Sequence, residues 1–270
     1  MFGSAQTPDD TVQPLSLLKS ADWSELSRAC IEPITEGMSG AFVFRIIEYD
    51  LPVRYLKIAQ DEAIAPLRHE IVRTRWLAEQ GVHVAPILRI EDRPGQVVML
   101  TQAVPGSPAE ASTLPAARLI DILAHGLAAL HKLRAADCPF DESLGVRLSR
   151  AAEAVASGEV DSAAFAPRNA GTAPEVLLAR LAANPPEQDL VVVHGDATLT
   201  NLIVDAEGHL GFVDCGSTGC GDRYIDLAVL ADEIEEHHGA EAAAHFVRVY
   251  GLRSWDSAKA LYFSDLYELF

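Results

Sequence analysis

Apolar residues follow two different periods along the chain, and the change falls near residue 105. Short apolar runs typical of β-strands precede it, at residues 42–47, 53–58, 84–90 and 97–103. One helix is predicted among them, because residues 63–80 carry apolar side chains near the helical period and end at Gly81, a residue suited to a helix C-terminus. The first part of the chain is therefore predicted to be a small β-rich lobe.

After residue 105 the helical period dominates. Amphipathic patterns predict helices at residues 115–134, 147–158, 174–183, 225–236, 240–250 and 257–269, with a loop at 159–173. Short apolar runs at residues 190–193, 202–204 and 210–213 predict buried strands. These patterns together predict a two-lobed α+β protein, with one lobe at residues 1–103 and the other at 104–270. Residues 1–22 are expected to be loosely ordered.

Polar residues lie at the ends of the three predicted buried strands of the second lobe. His194-Gly195-Asp196 comes after the first, Asn201 precedes the second, and Asp214 lies just beyond the third. Phosphoryl transfer needs a carboxylate near the attacking hydroxyl, and amide and carboxylate oxygens to hold magnesium. Loops between buried strands aim such side chains from a rigid scaffold. The joint spacing indicates a phosphoryl-transfer site, although either short motif alone is also typical of an ordinary turn.

The motifs H-G-D-x-x-x-x-N, V-D-C-G and G-D-R-Y-I-D-L-A resemble those of the aminoglycoside phosphotransferases, which have the eukaryotic protein-kinase fold. The resemblance runs from about residue 37 to the end of the sequence and is strongest to the 3'-phosphotransferases. It implies a protein-kinase-like fold with a β-rich N-lobe and a mostly helical C-lobe. It also implies that Asp196 is the catalytic aspartate and that Asn201 and Asp214 are the magnesium ligands. Asp222 and Asp226 are implied to shape the loop and helix that follow the metal site.

A kinase site also needs a loop over the nucleotide phosphates. Gly37-Met38-Ser39-Gly40 immediately precedes a predicted strand, and Gly37, Ser39 and Gly40 are small enough for backbone N–H groups to approach phosphate oxygens. The same four residues are equally typical of a simple turn.

Lys57 lies within a predicted apolar strand, where an ammonium group needs a partner. Glu70, on the following helix, is the predicted partner, and the alternative for it is a solvated helix position. The family resemblance implies that Lys57 contacts the α- and β-phosphates of ATP, and GTP remains an alternative nucleotide. Thr101 and Ala103 resemble the interlobe hinge, whose backbone groups bond the adenine edge.

The charge of the chain restricts its partners. The sequence of 270 residues has a formal net charge of -18, which repels nucleic acid and anionic membranes and attracts a small cationic substrate. Simple solubility explains the same charge equally well. No apolar run approaches the length of a membrane span, and the first residues lack a signal-peptide pattern. The four cysteines are scattered. We therefore expect a cytoplasmic protein with reduced thiols, as a monomer or weak homodimer.

The acceptor end departs from the family. In the 3'-enzymes, acidic residues of a loop and of the C-terminal tail bind the ammonium groups of the antibiotic. Here Ala166, Pro167 and Arg168 stand where the acidic loop aligns, and Arg168 would oppose a cation. Glu268 and the carboxylate of Phe270 are the predicted substrate residues. Tyr267 replaces the usual aspartate, and we expect Asp265 to face another way.

The sequence thus predicts an ATP- and Mg²⁺-dependent O-phosphotransferase that acts on an aminoglycoside hydroxyl, most similar to the 3'-type, kanamycin kinase-like enzymes of antibiotic resistance. The altered acceptor end leaves two enzymatic alternatives: a 3''-type streptomycin kinase, or a kinase of another small polyhydroxylated molecule. A nucleotide-binding protein without activity is a third alternative, although none of the predicted catalytic or metal residues is missing.

Overall fold

The computed structural model of the protein describes Trp23, Leu26, residues 28–34 and residues 40–270. The chain divides into two compact units. The first runs to Glu79 and includes Val84–Val104, and the second comprises Gln80–His83 and Pro105–Phe270.

The first unit is built on an antiparallel five-stranded sheet with the order β1-β2-β3-β5-β4. Its strands are β1 Cys30–Ile34, β2 Phe42–Ile47, β3 Arg54–Gln60, β4 Ile87–Arg93 and β5 Gln96–Gln102. Helix α1, Ile64–Glu79, follows a short 3₁₀ turn after β3. Alternate residues of the strands enter two cores, as expected for a sheet covered on both faces. Leu56 and Ile58 pack with Trp23 on one face, whereas Ala59 packs with Leu67 of α1 on the other.

The fourth strand is displaced from its predicted position. Residues 84–90 were expected to be extended, but β4 spans Ile87–Arg93 and joins β5 through a tight turn that contains Gly95 at φ 79°. This turn fixes the register, so Asp92 pairs with Val97 even though it is polar. Val84 is buried outside the sheet, which explains why its apolar character was misleading. Strand β1 was not predicted, because Glu32 and Pro33 interrupt its apolar pattern.

The second unit is mainly helical. Its helices are α2 Ala116–Leu130, α3 Leu144–Ser157, α4 Pro174–Ala183, α5 Tyr224–His238, α6 Ala240–Tyr250 and α7 Ser257–Tyr267. Its strands are β6 Ser107–Pro108, β7 Leu190–Val193, β8 Leu202–Val204, β9 Leu210–Phe212 and β10 Gly219–Asp222. They form a three-stranded sheet, β6-β8-β9, and a two-stranded sheet, β10-β7. Among the described residues, no helix is long and apolar enough to cross a membrane.

The core of the second unit positions the loop that carries Asp196, the predicted catalytic residue. Val191 and Val193 of β7 pack in one cluster with Ala228 of α5 and with Phe263 and Leu266 of α7. Burial of such side chains contributes about 1.5–3 kcal/mol each to stability. The strand that precedes the catalytic loop is therefore fixed against two helices.

The predicted α+β fold is confirmed by this arrangement. The strands β6 and β10 were not predicted, because their Ser-Pro and Gly-Cys-Gly-Asp sequences carry no β-type pattern. The expectation for residues 1–22 lies outside the described residues.

Candidate active site

The loop after β7 is held by one buried carboxylate. Asp226 accepts hydrogen bonds from the backbone N–H groups of His194, at 2.7 Å, and Gly195, at 2.8 Å. Its Oδ2 also lies 2.9 Å from Nε2 of His131. Burial alone would raise the pKa of Asp226, but these hydrogen bonds and the neighbouring histidines outweigh it and hold the pKa below its ordinary value. Asp226 therefore stays ionised and fixes the backbone at Gly195.

Gly195 has a conformation and surroundings that other residues would not tolerate. Its φ is 88°, and an added Cβ would lie 2.0 Å from the carbonyl oxygen of Ser217. Its own carbonyl oxygen accepts a hydrogen bond from Nη1 of Arg147 at 3.3 Å. Burial lowers the pKa of the Arg147 guanidinium, although the charges of nearby carboxylates, including Glu142, oppose this. The backbone next to Asp196 is thus fixed from several sides.

The Asp196 carboxylate has a hydrogen-bond donor on each oxygen. The amide nitrogen of Asn201 lies 2.8 Å from Oδ2, and the hydroxyl of Tyr267 lies 2.9 Å from Oδ1. The same amide nitrogen also donates to the Asp196 carbonyl oxygen at 3.0 Å. Sequence reasoning placed Asp196 and Asn201 in one site, and the structure brings them into direct contact. It did not identify Tyr267 as a partner of Asp196.

The hairpin of β8 and β9 brings Asn201 close to Asp214 in the fold. Val213, next to Asp214, donates its backbone N–H to the carbonyl oxygen of Asn201 at 3.1 Å. The Val213 carbonyl oxygen lies 3.0 Å from Nε2 of His194. Asp214 is exposed and has φ 56°, in the left-handed region that most residues avoid. A strained aspartate at the end of a strand is typical of a functional position.

The donor set fits a magnesium ion. Because the amide nitrogen of Asn201 is committed to Asp196, its amide oxygen is the atom that can bind a cation. With the Asp214 carboxylate this provides two hard oxygen ligands, and Mg²⁺ usually combines one or two carboxylates with substrate phosphates and water. The described residues contain no cluster of three or more His, Cys, Asp or Glu side chains suited to a metal. A magnesium ion would therefore need further oxygens from a nucleotide.

In the first unit, the structure brings Lys57 and Glu70 together. The Lys57 ammonium lies 2.8 Å from Oε1 and 2.9 Å from Oε2 of Glu70. Both side chains are 14% exposed, so each charge needs the other. Strand β3 supplies the lysine and α1 the glutamate. The alternative of a solvated Glu70 is therefore wrong.

The structure describes only some of the other residues that are predicted to contact the nucleotide. Gly37 and Ser39 lie outside the described residues. Gly40 is exposed, with φ 66°. Thr101 is buried near the end of β5, and the N–H of Ala103 donates to the Val53 carbonyl oxygen at 2.8 Å. At Ala103 this leaves the carbonyl oxygen, rather than the N–H, for a ligand.

At the acceptor end, the predicted substrate carboxylate already has cationic and amide partners. Arg168 lies 3.1 Å from Oε1 of Glu268, and the Asn169 amide lies 3.0 Å from Oε2. Asp265 accepts hydrogen bonds from Arg168 at 2.7 Å, Asn169 at 2.8 Å and Arg180 at 2.9 Å. We call these five residues the arginine–carboxylate cluster. Phe270 lies apart from it, with its ring over the Arg147 guanidinium at 4.9 Å.

Asp265 and Tyr267 contact different parts of the second unit. As expected for residues two apart on a helix, Asp265 faces another way than Tyr267, since Asp265 contacts Arg168 whereas Tyr267 contacts Asp196. Besides its predicted opposition to a cation, Arg168 pairs with the carboxylates of Asp265 and Glu268. Asn169 was missed, since nothing in the loop sequence indicates a buried amide.

These observations define a class of protein. The buried Asp226 carboxylate fixes a loop on which Asp196 is hydrogen-bonded to Asn201, and the exposed Asp214 lies just beyond β9. In a two-unit fold of this kind, such an arrangement is typical of a phosphotransferase.

Comparisons with known proteins agree with this class. The chain matches the model of the "Phosphotransferase enzyme family" over residues 31–261. It is 32% identical over 237 residues to an aminoglycoside 3'-phosphotransferase from Niallia circulans, which covers 87% of this chain and 90% of the relative. The chain belongs to the aminoglycoside phosphotransferase family, so the predicted family and enzyme class are confirmed and the alternative of an inactive protein loses its support.

Solved structures of aminoglycoside phosphotransferases are similar to this chain over most of its length. An aminoglycoside 3'-phosphotransferase of type VIII matches with a TM-score of 0.86 and 31% identity, covering 96% of this chain and 99% of that one. The aminoglycoside phosphotransferase APH(3'')-Id from Streptomyces rimosus, in complex with ADP and streptomycin, matches with a TM-score of 0.78 and 30% identity, covering 94% and 99%. The kinase-like fold is thus shown.

Proposed function

We propose that this enzyme transfers the γ-phosphoryl group of ATP to a hydroxyl of an aminoglycoside, with the 3'-hydroxyl as the site of transfer. The observation that carries the proposal is the Asp196 carboxylate, held through Oδ2 by Asn201 on a loop that Asp226 fixes. The names of the relatives support the substrate class, and the similarity to a 3'-phosphotransferase over most of the chain supports the position.

In this proposal Asp196 orients the acceptor hydroxyl and accepts its proton. Catalysis of phosphoryl transfer depends mainly on positioning and charge stabilisation, so a fixed carboxylate is more useful than a mobile one. The hydrogen bonds to Asp226 and Arg147 support this role, because they hold the backbone on which Asp196 stands.

The remaining residues bind the nucleotide and magnesium. Asn201 and Asp214 would hold Mg²⁺, which offsets the negative charge of the phosphates. Lys57 would contact the α- and β-phosphates, and its bidentate pairing with Glu70 supports this, since it fixes the ammonium group. Gly37, Ser39 and Gly40 are proposed to cover the phosphates.

Thr101 and Ala103 are proposed to contact the base through backbone groups, with the carbonyl oxygen of Ala103 available. This contact leaves GTP as an alternative to ATP.

Glu268 and Phe270 are proposed to line the acceptor side. Glu268 caps the end of α7, the helix that carries Asp265, and these two carboxylates provide negative charge for an ammonium group. Because the Arg168 guanidinium already pairs with Glu268, a cationic acceptor must displace it to bind Glu268. A monomer or weak homodimer in the cytoplasm, where ATP is available, fits this activity.

The second candidate function is phosphorylation of a 3''-hydroxyl on streptomycin. The similarity to the Streptomyces rimosus structure, which contains streptomycin, favours it. The neutralised carboxylates of the acceptor end also favour a substrate that depends less on this acidic region than kanamycin-type antibiotics do.

A coupled assay of ADP release tests both candidates. We would compare kanamycin, neomycin and streptomycin with uncharged polyols, and locate the phosphate in each product by ³¹P and ¹H NMR. Phosphorylation at the 3'-position of kanamycin is the expected result. Turnover of streptomycin alone would select the second candidate, and turnover of uncharged polyols alone would overturn both.

A further inference from the structure

Tyr267 makes a contact that the proposed reaction does not require but that lies on its central carboxylate. The tyrosine ends α7, and its hydroxyl lies 2.9 Å from Oδ1 of Asp196, which is 71 residues away in the sequence. An ionised carboxylate only accepts hydrogen bonds, so the tyrosine is the donor. Asn201 donates to the other oxygen at 2.8 Å. The two donors therefore act on opposite sides of one carboxylate.

A carboxylate without such partners rotates easily, because the last torsion of aspartate has a broad energy minimum. Donors on both oxygens restrict that rotation. Each oxygen has two lone pairs, so Oδ1 retains one acceptor position after it binds Tyr267. That position is available to an acceptor hydroxyl.

The tyrosine is itself well fixed. Leu266 and Leu269, on either side of it, are almost completely buried, and Glu268 is bonded by Arg168 and Asn169. Burial raises the pKa of Tyr267, and the negative charge of Asp196 and the hydrogen bond to it act in the same direction. The hydroxyl therefore remains protonated, and remains a donor, beyond the pH at which an ordinary tyrosine ionises.

We propose that Tyr267 is a positioning residue for phosphoryl transfer: it holds the Asp196 carboxylate so that Oδ1 faces the acceptor hydroxyl. The inference rests on the proposed catalytic role of Asp196. It assigns a function to the position where the 3'-type relatives are expected to carry an aspartate, and where this chain has lost that acidic group. In this proposal the side chain at position 267 acts on the catalytic residue and not on the substrate.

The test is the Tyr267→Phe enzyme, which keeps the ring and removes only the donor. We expect kcat with the best aminoglycoside of the screen to fall about tenfold to a hundredfold, the size typical of one hydrogen bond to a charged group. The KM values for ATP and for the aminoglycoside should change less than about threefold, because neither ligand is expected to depend on this bond. A purely structural role would leave kcat intact and lower only the melting temperature.

Tyr262→Phe is the matched control. Tyr262 is on the same helix, and its hydroxyl also makes one hydrogen bond, to the Leu181 carbonyl oxygen at 3.0 Å. It has no contact with the catalytic loop among the described hydrogen bonds. Its kcat should equal that of the wild type. A similar loss of kcat in both variants would overturn the proposal, since any hydroxyl of α7 would then matter equally.

A double-mutant cycle with Asp196→Asn separates this inference from the proposed function. Tyr267→Phe should have little further effect in the Asp196→Asn background, because Tyr267 acts through the carboxylate. If Tyr267→Phe lowers kcat by the same factor in both backgrounds, the positioning role is wrong. If Asp196→Asn alone abolishes turnover and Tyr267→Phe changes nothing, the positioning role is wrong and the proposed function stands. If Asp196→Asn keeps full turnover, the proposed catalytic role of Asp196 fails, and the positioning role fails with it, whereas the substrate screen still decides the proposed activity.

The pH dependence gives a second readout. Because the tyrosine stays protonated, the ratio of wild-type to Tyr267→Phe kcat should be constant from about pH 6 to pH 10. A ratio that falls to one near pH 10 would show that the hydroxyl ionises there and is no lasting donor, which contradicts the proposal.

Discussion

The catalytic loop and the arginine–carboxylate cluster lie in the same unit but are built in opposite ways. The loop is held mainly by buried backbone bonds to Asp226, whose side chain is fully inaccessible. The cluster joins two partly exposed guanidinium groups, Arg168 at 37% and Arg180 at 50% exposure, to the largely buried carboxylates of Asp265 and Glu268. A site fixed through its backbone tolerates little change, whereas an ion pair with a partly exposed guanidinium group can be exchanged at smaller cost. The comparison indicates that the loop around Asp196 is rigid, whereas the surroundings of Glu268, the proposed acceptor residue, are more easily changed.

Asp196→Asn should have the largest effect on the fixed part. The variant removes the proton acceptor but keeps a side chain of the same shape, so kcat should fall about 10² to 10⁴-fold. The dissociation constant for ATP, measured by calorimetry, should change little, because Asn201, Asp214 and Lys57 are unaltered. A variant with nearly normal kcat would remove Asp196 from the mechanism.

Asp226→Ala should lower the free energy of unfolding by disrupting the same loop. It leaves the N–H groups of His194 and Gly195 buried without their acceptor, and each such group costs about 1–3 kcal/mol. Chemical denaturation should therefore show a loss of several kcal/mol at pH 7, near the upper end for single substitutions.

The pH dependence of this loss follows from the sign of the shift. The pKa of Asp226 is lower in the folded state, so its contribution is present above the unfolded pKa of about 4 and disappears as pH falls below it. The difference in unfolding free energy between wild type and Asp226→Ala should thus be constant from about pH 5 to 8 and shrink below about pH 4. A difference that grew on acidification would contradict the assignment of an ionised Asp226.

Arg168→Ala tests whether the arginine–carboxylate cluster controls the KM for a cationic substrate. Removal of the guanidinium leaves Glu268 with the neutral Asn169 amide and Asp265 with Asn169 and Arg180, so the KM for kanamycin-type substrates should fall about three- to tenfold, with kcat nearly unchanged. Arg118→Ala is the matched control, because it makes the same change in net charge but removes contacts to the backbone of residues 206 and 207 only. An equal fall in KM in both variants would mean that only the overall charge matters.

The smallest effect is expected for Glu268→Gln in the wild-type background. Arg168 and Asn169 already engage this carboxylate, so KM for the same substrate should rise by less than about threefold. In the Arg168→Ala background the same substitution should raise KM about tenfold, because the released carboxylate then meets the substrate. Equal effects in both backgrounds would show that Arg168 does not shield Glu268.

The two regions also differ in how well the sequence predicts them. Asp196, Asn201 and Asp214 were found because one short segment carries them on loops between apolar strands. Their proximity therefore follows from local hairpin geometry. The pairing of Lys57 with Glu70 was also predictable, since an apolar strand with one lysine requires a nearby acid.

The acceptor end was predictable only in part. Arg168 and Asp265 are far apart in the sequence, and their contact depends on how α7 packs against the loop before α4. The contact of Tyr267 with Asp196 has the same origin: a tyrosine at a helix end indicates nothing about its partner. Strand β10 was missed for a different reason, because its glycines are required by close approach to Glu142 and carry no strand pattern.

The arginine–carboxylate cluster has a consequence for the influence of salt on this enzyme. An ammonium group that enters an open acidic pocket creates a new ion pair, whose strength falls as ionic strength rises. An ammonium group that displaces Arg168 exchanges one ion pair for another, so the number of pairs is nearly conserved. Salt then weakens the pair that is lost and the pair that is gained together. The proposed acceptor site would accordingly keep its affinity for a cation nearly constant as ionic strength changes, although the net charge of -18 alone would suggest the opposite.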